Sequence, residues 1–320
     1  MLKTRTFAPV AILFLIVIAA PPLATFQSSV EGVVDRAELL RDLEVLSADA
    51  MEGRLVGSPG GARARAYVVE RFGESGLTPF GDSFEQPFTF RAGRGGGGEE
   101  RSGANVVGYV TGTDSPDRYI VLTAHYDHVG VRNGEIFNGA DDNASGTAAL
   151  FALGKYFSAH RPAHSLVFAA VDGEEGGLRG ARAFVADPPV PASAIALNIN
   201  LDMIGRDPDD LLYAVGTFHY PFLKPYLEGV GGPFGVDVRF GHDDPGQDGV
   251  ENWTGSSDHA AFHRAGIPFI YFGVEDFDQH HKATDDYATM SHDFYVRVVA
   301  TVADAVKAFD ADLDAIARAR

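Results

Sequence analysis

The sequence predicts a three-layer α/β fold, in which a mixed, mostly parallel central sheet is flanked by helices on both faces. Four largely apolar segments, at residues 119–122, 166–171, 194–201 and 267–272, are typical of strands buried inside such a sheet. Segments with helical periodicity lie between them, and strands that alternate with helices favour a parallel sheet. Each strand leads into charged residues, which are therefore expected at one edge of the sheet.

The first thirty residues have the pattern of an export leader. Lys3 and Arg5 precede an apolar run at residues 7–20, so we predict that residues 1–30 are a signal peptide or an N-terminal anchor. Prolines after the apolar run disrupt each candidate cleavage site, which would require small residues. An uncleaved N-terminal membrane anchor is therefore the alternative. Residues 31–320 suit one large α/β domain better than two small ones. We expect an exported protein, secreted or periplasmic.

Composition excludes several classes of site and partner. The chain has no cysteine, which removes disulfides, thiolate metal ligands and a cysteine nucleophile. Any metal must therefore bind through histidine and carboxylate side chains. The formal net charge of −18 argues against nucleic acid and anionic membranes, because phosphate groups require a basic face. We expect no stable membrane partner unless the leader is retained as an anchor.

The segment before the first buried strand predicts two helices, a strand and a loop. Asp35 is a candidate cap for a first helix, and a second helix is expected to end at Gly76. A strand follows at residues 84–90. The glycine-rich segment at residues 93–103 lacks the strand-then-helix context of a phosphate-binding loop, so we interpret it as a flexible surface excursion without chemistry.

Three further helices are predicted between and after the buried strands. One begins after Ser145, a second begins at about Leu178, and the last places apolar residues of the segment 295–309 on one face. The strands between these helices are predicted to be covered on both sides of the sheet.

Acidic residues and histidines follow the ends of the predicted strands. His125 and Asp127 come directly after the first one and, two residues apart in extended chain, are expected to point to the same side. Acids then recur at a helix entrance and after the second and third strands, and a histidine pair follows the fourth. These residues are His125, Asp127, Asp141, Asp142, Glu174, Glu175, Asp202, His280 and His281.

Carboxylates and imidazoles collected at one sheet edge would be unfavourable unless cations hold them together. Histidine with aspartate and glutamate, without thiolates, suits Zn²⁺, and one carboxylate can bridge two ions about 3.5–4 Å apart. The pattern therefore predicts two zinc ions. Glu174 and Glu175 are neighbours that cannot both ligate comfortably, so one is expected to bind metal and the other to act as a base.

Eight short motifs are spread along the chain. They are Glu52-Gly53-Arg54 with Gly57-Ser58-Pro59-Gly60, Asn105-Val106-Val107-Gly108, Ala124-His125-Tyr126-Asp127, Gly139-Ala140-Asp141-Asp142-Asn143-Ala144-Ser145-Gly146, Asp172-Gly173-Glu174-Glu175, Leu201-Asp202-Met203, Ser257-Asp258-His259 and His281-Lys282-Ala283-Thr284-Asp285. In these motifs the chain resembles the secreted bacterial double-zinc aminopeptidases of metallopeptidase family twenty-eight, of the leucyl aminopeptidase type. The resemblance covers nearly all of residues 31–320 and implies a zinc-exopeptidase fold, two Zn²⁺ ions per chain and peptide substrates that lose their N-terminal residues.

The resemblance also implies a role for each site residue. Asp142 would bridge the two ions, followed by a cis peptide bond to Asn143. Glu174 would be the general base, and Asp127 would fix the tautomer and orientation of His125. The implied metal ligands are His125, Asp142 and Asp202 for one ion, and Asp142, Glu175 and His281 for the other.

Two positions depart from the family pattern. His280 stands where many relatives carry tyrosine, whose phenol is expected to help stabilise the tetrahedral intermediate. In this chain an imidazolium would take over this role, or the stabilisation would be missing. Ser256 stands where some relatives carry arginine. Asp258 is expected either to cap a helix or to orient a ligand. Asp141 is expected to be an acid at the helix entrance or one that supports the ligands without binding metal. The remaining histidines are assigned no metal role: His128, His160, His164, His219, His242, His259, His263 and His292.

Alternatives to the aminopeptidase remain open at this point. A carboxypeptidase or dipeptidase on the same two-metal site stays possible, because Arg206 lies near Asp202 in sequence and would suit a C-terminal carboxylate. A glutaminyl-cyclase-like enzyme is disfavoured by the retained His125. A non-catalytic binding ectodomain is disfavoured because no implied ligand or base is missing. We expect peptide substrates, no nucleic acid and a monomer.

Overall fold

The computed structural model describes residues 30–91, 97–276 and 278–320. The predicted leader or anchor and the first part of the glycine-rich segment lie outside these residues. Within them, no helix is both long enough and apolar enough to cross a membrane.

A nine-stranded mixed sheet forms the centre of the fold, beside a separate two-stranded hairpin. The strands are β1 (Thr78–Pro79), β2 (Glu85–Arg91), β3 (Glu100–Val110), β4 (Ser115–His125), β5 (Gly130–Arg132), β6 (Glu135–Phe137), β7 (His164–Val171), β8 (Ile195–Leu201), β9 (Leu211–Val215), β10 (Asp237–Phe240) and β11 (Phe269–Gly273). The order in the large sheet is β1-β3-β7-β4-β8-β11-β9-β10, with β2 paired to β3, and β5 and β6 form the hairpin.

The four predicted buried strands are the neighbouring parallel strands β7, β4, β8 and β11. His125, at the end of β4, pairs with Val171 at the end of β7, and Leu201 at the end of β8 pairs with Phe272 of β11. The C-terminal ends of all four strands therefore reach one edge at nearly the same level. β9 lies antiparallel to β11 and carries the short parallel strand β10 at the outer edge.

Helices cover both faces of this sheet, which confirms the predicted three-layer arrangement. The described helices are α1 (Arg36–Leu46), α2 (Pro59–Glu74), α3 (Gly146–Ala159), α4 (Arg179–Ala186), α5 (Lys224–Leu227), α6 (His259–Arg264), α7 (His292–Asp310) and α8 (Leu313–Ala319). Alternate residues of β4 point to opposite sides. Ile120 packs in one core with residues of α1, α2, α3 and α7, and Val121 packs in a second core with residues of α4 and α6.

Side-chain caps and local sequence features mark where several of these helices begin. The Asp35 side chain accepts a hydrogen bond from the backbone N–H of Glu38 and caps α1. Ser58 caps α2 in the same way, with Pro59 at the first helical position. The helices α3 and α4 begin directly after Ser145 and Leu178, as predicted.

The interpretation of residues 93–103 as one flexible excursion was wrong for its second half. Residues 100–103 belong to β3 and pair with β2, with Gly103 opposite Phe88. A Cβ atom at Gly103 would lie 2.6 Å from the Phe88 ring, so the glycine lets this ring lie against the strand. Glycine here permits close packing of a hairpin and does not mark a loop.

Candidate metal centre

The aligned strand ends gather the predicted ligands at one edge of the sheet. His125 is the last residue of β4, and Asp202 directly follows β8. Glu174 and Glu175 lie in the turn between β7 and α4, and the loop after β11 brings His281 to the same place. Asp142 comes from an irregular turn, Ala140–Ser145, that leads into α3.

The first group of donor atoms contains His125, Asp142 and Asp202. His125 Nε2 lies 3.4 Å from Asp142 Oδ1 and 3.3 Å from Asp202 Oδ1. All three side chains are buried, and His125 Nε2 and Asp202 Oδ1 have no hydrogen-bond partner among the described residues. Burial alone would lower the pKa of His125, but the neighbouring Asp202 carboxylate outweighs it and raises that pKa well above the usual value.

The second group contains Asp142, Glu175 and His281. His281 Nε2 lies 3.3 Å from Asp142 Oδ2 and 3.0 Å from Glu175 Oε2. Burial would raise the pKa of Glu175, but His128 and His281 hold this pKa well below its ordinary value. The Asp142 carboxylate therefore faces both groups, one oxygen toward each.

These separations fit a shared metal ion. Two donor atoms on one tetrahedral zinc ion lie about 3.3 Å apart, because zinc–nitrogen and zinc–oxygen bonds measure about 2.0–2.1 Å. The measured separations in the two groups are 3.0, 3.3, 3.3 and 3.4 Å. Both groups combine imidazole with carboxylate, which is a donor set that binds zinc. The cluster is therefore suited to hold metal ions.

Backbone contacts fix Asp142 between the two groups. Its peptide bond to Asn143 is cis, as the family resemblance implies. The Asp285 carboxylate accepts the backbone N–H of Asp141 at 3.0 Å and that of Asp142 at 3.1 Å. The Asn143 side chain donates to the carbonyl of Leu201, which ties this turn to the end of β8.

Glu174 occupies a different environment from its neighbour Glu175. It lines the cavity beside the donor cluster, and burial raises its pKa well above the usual glutamate value. Its backbone N–H donates to Asp127 Oδ1 at 3.0 Å. A carboxyl group with a raised pKa at a cavity wall is suited to accept and return a proton.

Asp127 contacts His125 mainly through its backbone. His125 Nδ1 lies 3.1 Å from the carbonyl oxygen of Asp127, whereas the carboxylate Oδ1 is 3.7 Å away. The carbonyl can accept the Nδ1 proton, which leaves Nε2 free as a donor atom for metal. The carboxylate of Asp127 connects instead to the turn that carries Glu174.

A buried arginine joins the loops around the cluster. Arg54 is fully buried, and its guanidinium donates to the backbone carbonyls of Leu46, Tyr126, Asn138 and Gly139. Burial lowers its pKa to about 10, so it stays charged at neutral pH. The sequence signal was the Glu52-Gly53-Arg54 motif, but its contacts span more than seventy residues and do not follow from local pattern.

Arg206 is committed to carboxylates outside the cavity centre. Its guanidinium pairs with Asp276 and lies 2.7 Å from Asp285 Oδ1. Asp285 is the same carboxylate that holds the Asp142 turn. Arg206 therefore supports the turn, and its charge is already balanced by two acids.

Two further histidines lie beside the second group. His280 is half exposed, with Nε2 3.7 Å from Asp142 Oδ2. His128, which was assigned no metal role, is completely buried, with Nδ1 2.8 Å from Glu175 Oε1. The sequence pattern missed His128 because it follows the end of β4, where the alternation of side chains no longer applies.

Two neighbouring acids complete the cluster. Asp141 Oδ1 accepts the backbone N–H of Gly205 at 2.7 Å. Asp258 stands before α6, but its side chain makes no cap hydrogen bond, so the capping alternative is not realised. Its carboxylate is fully buried without a hydrogen-bond partner in the described part of the chain, and burial raises its pKa to about 7.

The cluster opens into a cavity of about 510 Å³. Its lining includes acids and histidines of the cluster, together with a set of apolar side chains that we call the apolar wall. The lining residues from the cluster are Asp142, Glu174, Glu175, Asp202, His280 and His281. The apolar or aromatic lining residues are Leu178, Met203, Trp253, Tyr271 and Val274. Arg182 and Arg264 lie at its exposed rim.

Known structures with the same fold include two kinds of enzyme. A zinc aminopeptidase from Bacillus subtilis is 16% identical, with a TM-score of 0.69, and the match covers 87% of this chain and 95% of that one. A glutaminyl cyclase from Porphyromonas gingivalis is 18% identical, with a TM-score of 0.70 and coverage of 86% and 98%. At these identities the likeness shows the fold alone.

Sequence comparison identifies the family. A probable zinc metalloprotease from Pyrenophora tritici-repentis is 32% identical over 113 residues, which cover 33% of this chain and 23% of the relative. The match thus spans about a quarter of the curated relative's length. The model of peptidase family M28 matches residues 105–306, more than half of the chain and the segment that supplies all five predicted ligands. This chain therefore belongs to peptidase family M28.

Proposed function

We propose that the chain is a zinc aminopeptidase that removes N-terminal residues from peptides, with two zinc ions held by His125, Asp142, Asp202, Glu175 and His281. The observation that carries the proposal is the convergence of these five side chains at separations that suit shared zinc ions. Four of them, all but His125, line a cavity together with Glu174. When bound, a zinc pair supplies Lewis acidity toward the peptide carbonyl and toward an attacking water.

Glu174 acts as the general base in this proposal. Its carboxylate takes a proton from the attacking water and passes it to the leaving amine. Burial raises the pKa of Glu174, and a raised pKa makes its carboxylate a stronger acceptor for the proton of the attacking water. Asp127 holds the turn that carries Glu174 through the 3.0 Å hydrogen bond to its backbone N–H.

Charge in the cavity supports recognition of the peptide N-terminus. Asp142, Glu174, Glu175 and Asp202 all line it, and their negative potential favours an α-amine over a carboxylate. Arg206 is paired with Asp276 and Asp285 and is therefore unsuited to clamp a substrate carboxylate. The apolar wall favours an apolar first residue in the substrate.

A blocked and an unblocked substrate test this proposal. The zinc-loaded chain should hydrolyse leucine p-nitroanilide and leave its N-acetylated form nearly untouched. Acetylation deletes the charge-assisted contacts of the amine and adds bulk, which should cost at least about 2 kcal/mol of transition-state binding, or more than tenfold in kcat/KM. Equal turnover of the acetylated substrate would contradict an aminopeptidase and leave the metal centre unaffected.

A carboxypeptidase or dipeptidase is the second candidate. Arg182 and Arg264 line the same cavity, and neither forms an ion pair with the described residues. Two free guanidinium groups at the rim suit a substrate carboxylate. Release of residues from the C-terminus of a longer peptide, followed by mass spectrometry, would favour this candidate.

A further inference from the structure

We propose that His128 is a fourth protein donor to the ion held by Asp142, Glu175 and His281. The inference rests on the proposed two-zinc site and adds a residue to it. His128 is completely buried, and its Nδ1 atom lies 2.8 Å from Glu175 Oε1 and 3.7 Å from Asp142 Oδ2.

Among the described residues, the polar neighbours of His128 Nδ1 are the carboxylates of Glu175 and Asp142, which the proposed ion would share. Neither ring nitrogen has a well-aligned hydrogen-bond partner among the described residues. A buried polar group without a partner is unfavourable by about 1–3 kcal/mol, so native structures rarely leave one in this state. A cation between His128 and the two carboxylates would satisfy Nδ1.

The distances around His128 match those of the other donors. Two atoms bound to one tetrahedral zinc ion lie about 3.3 Å apart. The separations of 2.8 Å to Glu175 and 3.7 Å to Asp142 lie on either side of this value. The ring centroids of His128 and His281 are 5.8 Å apart, so both imidazoles approach the same pair of carboxylates.

The backbone at Gly139 leaves room for the His128 ring beside the Asp142 turn. Gly139 has a left-handed φ of 57°, and a Cβ atom at this position would lie 2.5 Å from His128 Cδ2 and 2.1 Å from the carbonyl oxygen of Asp142. The ring and the Asp142 backbone therefore occupy the space that a side chain would need. Arg54 donates to the carbonyl of Gly139 at 2.8 Å and fixes this turn.

His280 is a weaker candidate for the fourth donor. It is 48% exposed, and it reaches Asp142 Oδ2 at 3.7 Å without an ion-pair contact to Glu175. With His128 included, this ion has four protein donors, which is typical of a closed site. The group of His125, Asp142 and Asp202 has three and keeps a position open, as catalytic zinc sites do.

The test uses two substitutions of His128 in the whole chain. His128→Asn should weaken one of the two zinc equivalents by more than about 100-fold in a competition titration with a chelator, beyond the effect of losing an outer hydrogen-bond partner. His128→Cys should restore tight binding. Because the chain has no native cysteine, cobalt loading of this variant should add a thiolate charge-transfer band in the near ultraviolet.

His164→Asn is the matched control, because His164 is also buried but pairs with Asp310 away from the cluster. It should leave both zinc equivalents and the cobalt spectrum unchanged. If the His128 variants fail to fold, X-ray absorption of the zinc-loaded native chain still decides the question. It should detect three imidazole ligands for every two zinc ions. If His128 does not bind, it should detect only two.

Two outcomes would overturn the role of His128. One is unchanged zinc affinity in His128→Asn, and the other is a cobalt spectrum of His128→Cys without a thiolate band. A native chain that binds two zinc ions and cleaves unblocked peptides would preserve the proposed function in either case. Failure of the native chain to bind two ions would instead reject the proposed function itself.

Discussion

At the scale of single residues, Glu174 and Glu175 have clearly different surroundings although they are neighbours. Glu175 lies within 3.0 Å of His281 Nε2 and 2.8 Å of His128 Nδ1, whereas Glu174 faces the cavity and has no ion-pair partner among the described residues. The sequence predicted that the pair would divide its tasks. These surroundings agree with Glu175 as the ligand and Glu174 as the base.

Substitution of each glutamate by glutamine tests this division. Glu174→Gln should keep both zinc ions and lose about 10²–10⁴-fold in kcat, since it removes only the proton acceptor. Glu175→Gln should lose zinc as well as activity. Zinc content by plasma mass spectrometry and steady-state kinetics measure the two effects, and metal loss in Glu174→Gln alone would reverse the assignment.

The histidine pair allows a second comparison of neighbours. His281 contacts both Asp142 and Glu175, whereas His280 reaches Asp142 at 3.7 Å. His281→Ala should therefore weaken one zinc equivalent by more than about tenfold. His280→Ala should retain both ions and change only rate or specificity, and a comparable loss of zinc from it would contradict the assignment.

Residue patterns predicted which side chains would meet, but not every contact they make. Charged residues after buried strands indicated the cluster, because parallel strands end at one sheet edge. The same pattern did not indicate that His128 would lie beside Glu175, because it follows the last strand residue, His125, where side-chain direction depends on the local turn. It also did not reveal that Asp127 contacts His125 through its carbonyl oxygen.

At the scale of elements, long apolar strands were predictable and short outer elements were not. The sequences of the buried strands are apolar because helices cover both faces of the sheet there. These strands are β4, β7, β8 and β11. The edge strands β9 and β10 are short and partly exposed, so their sequences carry little periodicity. The start of β3 was read as loop because its glycines hid the pairing with β2.

Arg54 determines how the ligand-bearing loops fit together, so its loss should affect stability and zinc binding together. Arg54→Met would leave four buried carbonyl groups without their charged donor. We expect a loss of about 3–5 kcal/mol in the free energy of unfolding of the metal-free chain, measured in urea. Arg54→Lys should recover part of it.

Arg63→Met is the matched control for Arg54. Arg63 is exposed and pairs with Glu52 at the surface, so its loss should change the free energy of unfolding by at most about 1 kcal/mol. Equal effects of the Arg54 and Arg63 variants would show that the buried guanidinium does not hold the loops.

At the scale of the whole molecule, the cluster joins residues from His125 to His281, nearly half of the chain. The ends of β4, β7 and β8, the turn before α3 and the loop after β11 all supply donors, so metal binding links most of the sheet edge. The formal net charge of the protein is −18, and four of its carboxylates line the cavity where cations would be held: Asp142, Glu174, Glu175 and Asp202.

The central claim is that this edge of the sheet holds two zinc ions. The most direct measurement is the zinc content of the whole chain after saturation with zinc and removal of excess by dialysis. We predict two zinc ions per chain, with the second lost in Glu175→Gln. A content of one or none in the native chain would contradict the claim.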